Sequence, residues 1–157
     1  MKILINPTKS RLGVVTKKYE VVKSETGVLA VSFRYQREEV AELLDGVQMQ
    51  FETINVGASR GGHYHYPENA FERFYVLKGS CDLIICDPDK TICEVYSIKK
   101  GITYSVPGMI AHKAINTSDK CKVEMLVAKP FNFEIVNRTT LIDMKWTDKI
   151  NARGKNG

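Results

Sequence analysis

No apolar run in this chain approaches the roughly 18 residues that a membrane helix needs, which excludes helical integral membrane proteins. The opening Met1-Lys2-Ile3-Leu4-Ile5-Asn6-Pro7 turns polar too soon for a secretory signal, so a cytoplasmic location is expected. None of the four cysteines, Cys81, Cys86, Cys93 and Cys121, forms a C-x-x-C pair, which removes zinc ribbons and thioredoxin-type motifs. Their even count leaves disulfides open, but without a secretion signal they are expected to be reduced, partly buried thiols. A basic face is lacking as well. The net charge of +5 is carried by the ends: residues 1–24 hold +5 and residues 145–157 hold +3, leaving 25–144 at −3. A nucleic-acid surface needs Lys and Arg gathered on the folded body, so no nucleic-acid partner is expected. No repeat, low-complexity tract or Pro/Gly-rich linker divides the 157 residues, a length that suits a single domain with its own core.

Helical pattern is scarce. Only Glu38-Glu39-Val40-Ala41-Glu42-Leu43-Leu44-Asp45, stopped by Gly46, spaces its apolar residues for a helix. The rest reads as strands at 18–23, 27–34, 47–56, 72–78, 80–86, 91–98, 103–106, 112–117, 122–129 and 132–136, rich in Val, Ile, Tyr, Phe and Thr. Asp87-Pro88-Asp89-Lys90 is a turn, because proline presets its backbone angle and aspartates bond nearby amides. It joins 80–86 to 91–98 as a hairpin. Many short, closely spaced strands predict an all-β sandwich or jelly-roll barrel. Met49, Met125, Phe51 and Phe74 are expected in its core, and Trp146 is expected to pack the C-terminal segment onto the barrel or a partner subunit.

Histidine is also rare, with only His63, His65 and His112. In an extended segment, residues two apart project from one face, so His63 and His65 point the same way, as two ligands of one metal must. Glu72 opens a strand soon after, and His112 stands beside a Pro-Gly turn. Imidazole nitrogens with one carboxylate suit Fe, Mn, Ni, Zn or Cu, and four protein ligands leave octahedral positions open for substrate or water.

The spacing resembles the cupin superfamily. Gly57, His63, His65, Glu72 and Gly79 follow its first motif, G-x5-H-x-H-x3,4-E-x6-G. Gly101, Pro107, His112 and Asn116 follow its second, G-x5-P-x-G-x2-H-x3-N. Two departures stand out. The gap from His65 to Glu72 is six residues, which makes Glu68 a rival carboxylate, and the second motif's glycine is Gly108, one place early. The resemblance implies a single antiparallel double-stranded β-helix, or jelly-roll barrel, over about 25–136, with terminal segments packed outside. It also implies one divalent transition metal (Fe, Mn, Ni or Zn) on His63, His65, Glu72 and His112.

The stretch Arg60-Gly61-Gly62-His63-Tyr64-His65, with Glu72 to Gly79 and Val106-Pro107-Gly108, looks like cupins of surface-polysaccharide and nucleotide-sugar biosynthesis. Gly62 to His65 and Ala111 to Asn116 are also similar to cupin-type sugar-phosphate isomerases. Both likenesses imply a metal-dependent isomerase or epimerase acting on a sugar phosphate or nucleotide sugar, working as a homodimer. A non-haem iron dioxygenase and a non-catalytic sugar-binding module are the alternatives. For the proton transfer the candidates are Glu72 (if not firmly ligated), Glu68, Glu52, Glu124, Tyr75 and Tyr104. Arg60 could hold a phosphate in a bidentate fork, or be a solvated loop arginine. Asn116 could orient a ligand or water, or cap a turn.

Overall fold

The computed structural model describes residues 1–18, 20–23, 29–32, 47–66, 71–130 and 134–136. The expected helix at 38–45, Trp146 and Glu68 lie outside the described residues. Within them every regular element is a strand: β1 (Lys2–Ile5), β2 (Val15–Lys18), β3 (Glu20–Lys23), β4 (Leu29–Ser32), β5 (Val47–Ile54), β6 (Ser59–Tyr66), β7 (Phe71–Lys78), β8 (Ser80–Cys86), β9 (Ile92–Lys99), β10 (Ile102–Pro107), β11 (Ala111–Ile115), β12 (Val123–Pro130) and β13 (Glu134–Val136).

The sheets follow the orders β1-β9-β8-β11-β6-β13 and β2-β10-β7-β12-β5, beside a small β3-β4 pair. Successive strands from β5 to β12 pass back and forth between the two large sheets, except for the β8–β9 hairpin, and this is the jelly-roll connection. The opening residues, expected outside the barrel, are in the sheets: β1 runs parallel to β9, and β2 runs antiparallel to β10. Both occupy edges, where a strand distant in sequence can add without a hairpin.

Alternation decides what is buried. Phe74 and Val76 of β7, Leu83 and Ile85 of β8, Tyr104 and Val106 of β10, and Met125 and Val127 of β12 meet between the sheets. Fully burying such aliphatic side chains contributes about 1.5–3 kcal/mol each. On β5 the inward residues are Glu52 and Ile54, so Met49 and Phe51 face outward. They are 58% and 81% exposed, which corrects their expected core role.

Two other details differ from expectation. Asp87 closes the β8–β9 turn as foreseen, accepting from the Ile92 amide at 2.8 Å. That register sets Cys86 opposite Cys93, and the two form a disulfide with a Cα–Cα distance of 4.2 Å. The thiols expected to be reduced are therefore only Cys81, which is buried, and Cys121, which is exposed. Strand β6, which carries two of the histidines, is absent from the predicted strands. Gly61 and Gly62 have low strand propensity and mask it.

Candidate metal centre

Strand β6 reaches the site through a bulge. His63 pairs with His112 of β11, Lys113 pairs with Gly61, and Ala114 pairs with Arg60, so Gly62 is the extra residue. Gly61 and Gly62 have φ of 93° and 102°. A Cβ on Gly61 would stand 2.7 Å from the His112 carbonyl oxygen, so only glycine fits there. The inserted residue brings Arg60 and His63, three apart, onto the same inner face. The turn after β10 is tied to this strand, because the Met109 amide donates to the His65 carbonyl at 2.7 Å. Met109, not Gly108, holds the positive φ (61°), so the left-handed turn stays at the second motif's glycine position although the residue there is methionine.

The three imidazoles converge. Their ring centroids are 4.8 Å (His63–His65), 5.3 Å (His63–His112) and 5.0 Å (His65–His112) apart. One ring nitrogen from each lies within 4.8 Å of the others. Glu72 enters from β7 on the facing sheet. Its Oε2 is 2.8 Å from His65 Nε2 and 2.5 Å from His112 Nε2. His65, His112 and Glu72 are buried.

These residues fit a divalent ion. Bonds of about 2.1 Å to nitrogen or oxygen set adjacent donors about 3 Å apart; Glu72 Oε2 is that close to two ring nitrogens, and the three imidazole donor atoms lie within 4.8 Å of one another. His112 Nδ1 is 3.3 Å from the Ile110 carbonyl, so one ring nitrogen meets the backbone while Nε2 faces Glu72. Burial, joined by the other two imidazoles, lowers the His63 pKa to about 4, so it stays neutral and able to ligate at neutral pH. Burial pushes the Glu72 carboxyl up, and the His112 and His65 rings outweigh it, holding Glu72 well below the usual carboxylate range.

The cluster opens into a small, partly open cleft whose lining includes Glu52, Arg60, His63, Glu72, Phe74 and Lys129. Phe74 packs edge-on against His112 with ring centroids 5.6 Å apart, and Val76 lies deeper on the same face, as the period of two from Glu72 predicts. Arg60 Nε is 2.5 Å from Glu52 Oε1. Burial raises the Glu52 pKa, and Arg60 opposes the rise. Lys129 was not among the expected site residues. It lies two beyond Val127 on the inward face of β12, so alternation from Val123, Met125 and Val127 could have found it.

Four expected site residues lie elsewhere. Tyr75 follows Phe74 by one and so faces outward, packed with Leu126 and Ala128. Tyr104 pairs with Phe74, deeper than the Val106–Glu72 rung, and its ring meets Tyr96 in the core at 5.7 Å. Glu124 stands at the far end of β12, where Lys122 Nζ is 3.1 Å away. Asn116 lies past the end of β11, fully buried. Its amide donates to the carbonyls of Ile54 (3.0 Å) and Cys121 (2.9 Å) and accepts from the Ser118 amide (3.0 Å), which makes it a turn anchor.

Residues 34–141, more than half of the chain, match the family described as polysaccharide biosynthesis C-terminal domain. No curated protein sequence matches. Among solved structures the chain is similar to QdtA, a sugar 3,4-ketoisomerase from Thermoanaerobacterium thermosaccharolyticum in complex with TDP. Identity is 11%, coverage is 92% of this chain and 98% of that one, and the TM-score is 0.60. It is also similar to a 3,4-ketoisomerase from Helicobacter canadensis (13% identity, 90% and 99% covered, TM-score 0.59). A third is the dTDP-6-deoxy-D-glucose-3,5-epimerase RmlC from Legionella pneumophila, in complex with dTDP-4-keto-L-rhamnose (18% identity, 80% and 70% covered, TM-score 0.57). At these identities the likeness establishes the jelly-roll fold.

Proposed function

The chain belongs to the polysaccharide biosynthesis C-terminal domain family, and on that footing we propose that it is a metal-dependent isomerase or epimerase of a nucleotide sugar. The observation that carries the reading is the convergence of His63, His65, His112 and Glu72 at the head of a cleft that also holds two cationic side chains, Arg60 and Lys129. The solved relatives that act on nucleotide sugars share the barrel and support the substrate class.

Held by those four residues, a divalent transition metal would act as a Lewis acid toward a substrate oxygen. The chain supplies the rest. Arg60 presents a guanidinium fork suited to phosphate oxygens. Phe74 gives the sugar an apolar wall, the usual companion of convergent polar groups in a ligand pocket. Lys129 places fixed positive charge where substrate oxygen turns negative. A homodimer and a cytoplasmic location belong to the same reading. Among the described residues no helix is long and apolar enough to cross a membrane.

The test loads the protein with Mn, Fe, Ni or Zn and follows hydrogen exchange at the carbons beside the carbonyl of TDP- and UDP-4-keto-6-deoxy sugars in deuterated water. Exchange that disappears with a chelator is expected. No exchange with any of these, metal loaded, refutes the reading. Oxygen uptake with Fe(II) would favour a dioxygenase, and a tightly held sugar that is never turned over would favour a binding module.

A further inference from the structure

Glu52 and Arg60 face each other where the two sheets part. Strand β5 is an edge strand, and β13 pairs only with Tyr64–Tyr66 of β6. The ion pair between them is lopsided: the Arg60 side chain is 56% exposed and the Glu52 side chain 8%. One of arginine's five donors is thus spent on a carboxylate that burial would otherwise leave eager for a proton. The guanidinium itself stays open to water and to a ligand, and a guanidinium fork on phosphate is strong and directional. The bulge sets Arg60 opposite Ala114 and His63 opposite His112. These rungs are two residues apart, roughly 7 Å along the strand, about the breadth of one sugar ring.

We propose that the substrate exchanges this pair: the diphosphate of a nucleotide sugar draws Arg60 off Glu52, and Glu52 is thereby released as the base that takes the proton from the carbon beside the sugar's carbonyl. The inference rests on the nucleotide-sugar reading of the cleft. The step balances without an oxidant. The C–H proton passes to a Glu52 oxygen, the C–H electron pair becomes the carbon–carbon π bond, and the carbonyl π pair moves onto oxygen. When the reacting carbon carries a hydroxyl, that hydroxyl's proton crosses to the oxyanion. Glu52 then returns its proton to the former carbonyl carbon, which shifts the carbonyl by one position and regenerates the carboxylate. The charged groups acting on Glu52 are Arg60 of β6, Glu72 of β7 and Lys129 of β12. The pair therefore keeps the base covered until a diphosphate is bound.

The experiment compares wild type, E52Q, E52D, R60A and R60K. TDP and UDP binding is measured by calorimetry, and hydrogen exchange by NMR. Glu52 competes with phosphate for Arg60, so E52Q is expected to bind the diphosphates several-fold more tightly, while R60A binds them about 10-fold or more weakly. The same E52Q should lose about 100-fold or more of the exchange rate, with partial rescue in E52D. Movement in opposite directions is the signature, since a merely structural Glu52 would lower both. R60A should raise KM more than it lowers kcat, with R60K intermediate. E52Q binding no more tightly than wild type overturns the exchange of the pair, and E52Q retaining full hydrogen exchange overturns the base. The binding comparison needs no turnover. A wild type that binds TDP but exchanges no hydrogen overturns the reading of the cleft, and the base with it, while E52Q binding separately decides the pair.

Discussion

Glu72→Gln isolates the carboxylate without changing the shape of the site. Glu72 contacts the histidine cluster directly, with Oε2 at 2.8 Å from His65 and 2.5 Å from His112. The amide keeps the volume and a neutral oxygen but removes the negative charge. At 8% exposure that charge is poorly screened by water, so its loss falls directly on a bound dication. Disturbing the outer partners of metal ligands costs about 10–100-fold in affinity, which sets the floor for replacing a ligand itself. The expected loss is about 10-fold or more, at least about 1.4 kcal/mol. The assay is competition for Zn²⁺ against a chromophoric chelator, with far-UV circular dichroism of the metal-free variant as the control for folding. Glu68→Gln should match wild type within error, and His63→Ala/His65→Ala should lose stoichiometric metal. If Glu68→Gln weakens binding and Glu72→Gln does not, the six-residue gap has moved the ligand and the reading of the first motif is wrong.

Gly61→Ala should destabilise the fold by about 1–3 kcal/mol and weaken metal binding, because the new Cβ meets the His112 carbonyl at 2.7 Å and the positive φ suits only glycine. Denaturant unfolding and the chelator assay check both, and an unperturbed variant would show that the bulge does not hold His112 in place. Asn116→Ala should cost about 2 kcal/mol, because it strips partners from the Ile54 and Cys121 carbonyls, with diphosphate affinity unchanged. A melt with parallel calorimetry decides, and weakened binding in a fully stable variant would return Asn116 to the substrate site. The metal-free protein should lose stability on acidification. The folded pKa of His63 lies near 4, below its unfolded value of 6.5, so the unfolded state takes up the proton first. The His63 contribution is present above pH 6.5 and is lost as pH falls toward 4. Urea unfolding at pH 7.5, 6 and 5, compared with His63→Asn, measures it, and an equal pH response in the variant would refute the assignment.

The sequence by itself determined the fold class and the four clustered side chains. Strand alternation and turn chemistry are local, and so is the projection of residues two apart onto one face, which places His63 beside His65 and carries Glu72, Phe74 and Val76 inward together. The same rule, applied from Phe74, sets Tyr75 outside, and applied from Glu52 and Ile54 it sets Phe51 outside. It could not be applied at β6, where Gly61-Gly62 conceals a strand and the bulge shifts parity, so Arg60 joins His63 although their separation is odd. Pairings between distant strands were equally hidden. The hairpin register joined Cys86 to Cys93, the position of Tyr104 two rungs into the barrel took it from the cleft, and the turn beyond β11 claimed Asn116. Which residues share a face is a property of the chain's local geometry. Which faces meet, and therefore that Glu52, Arg60 and Lys129 border the histidines, is set by how the two sheets close on each other, and only the tertiary structure decides that.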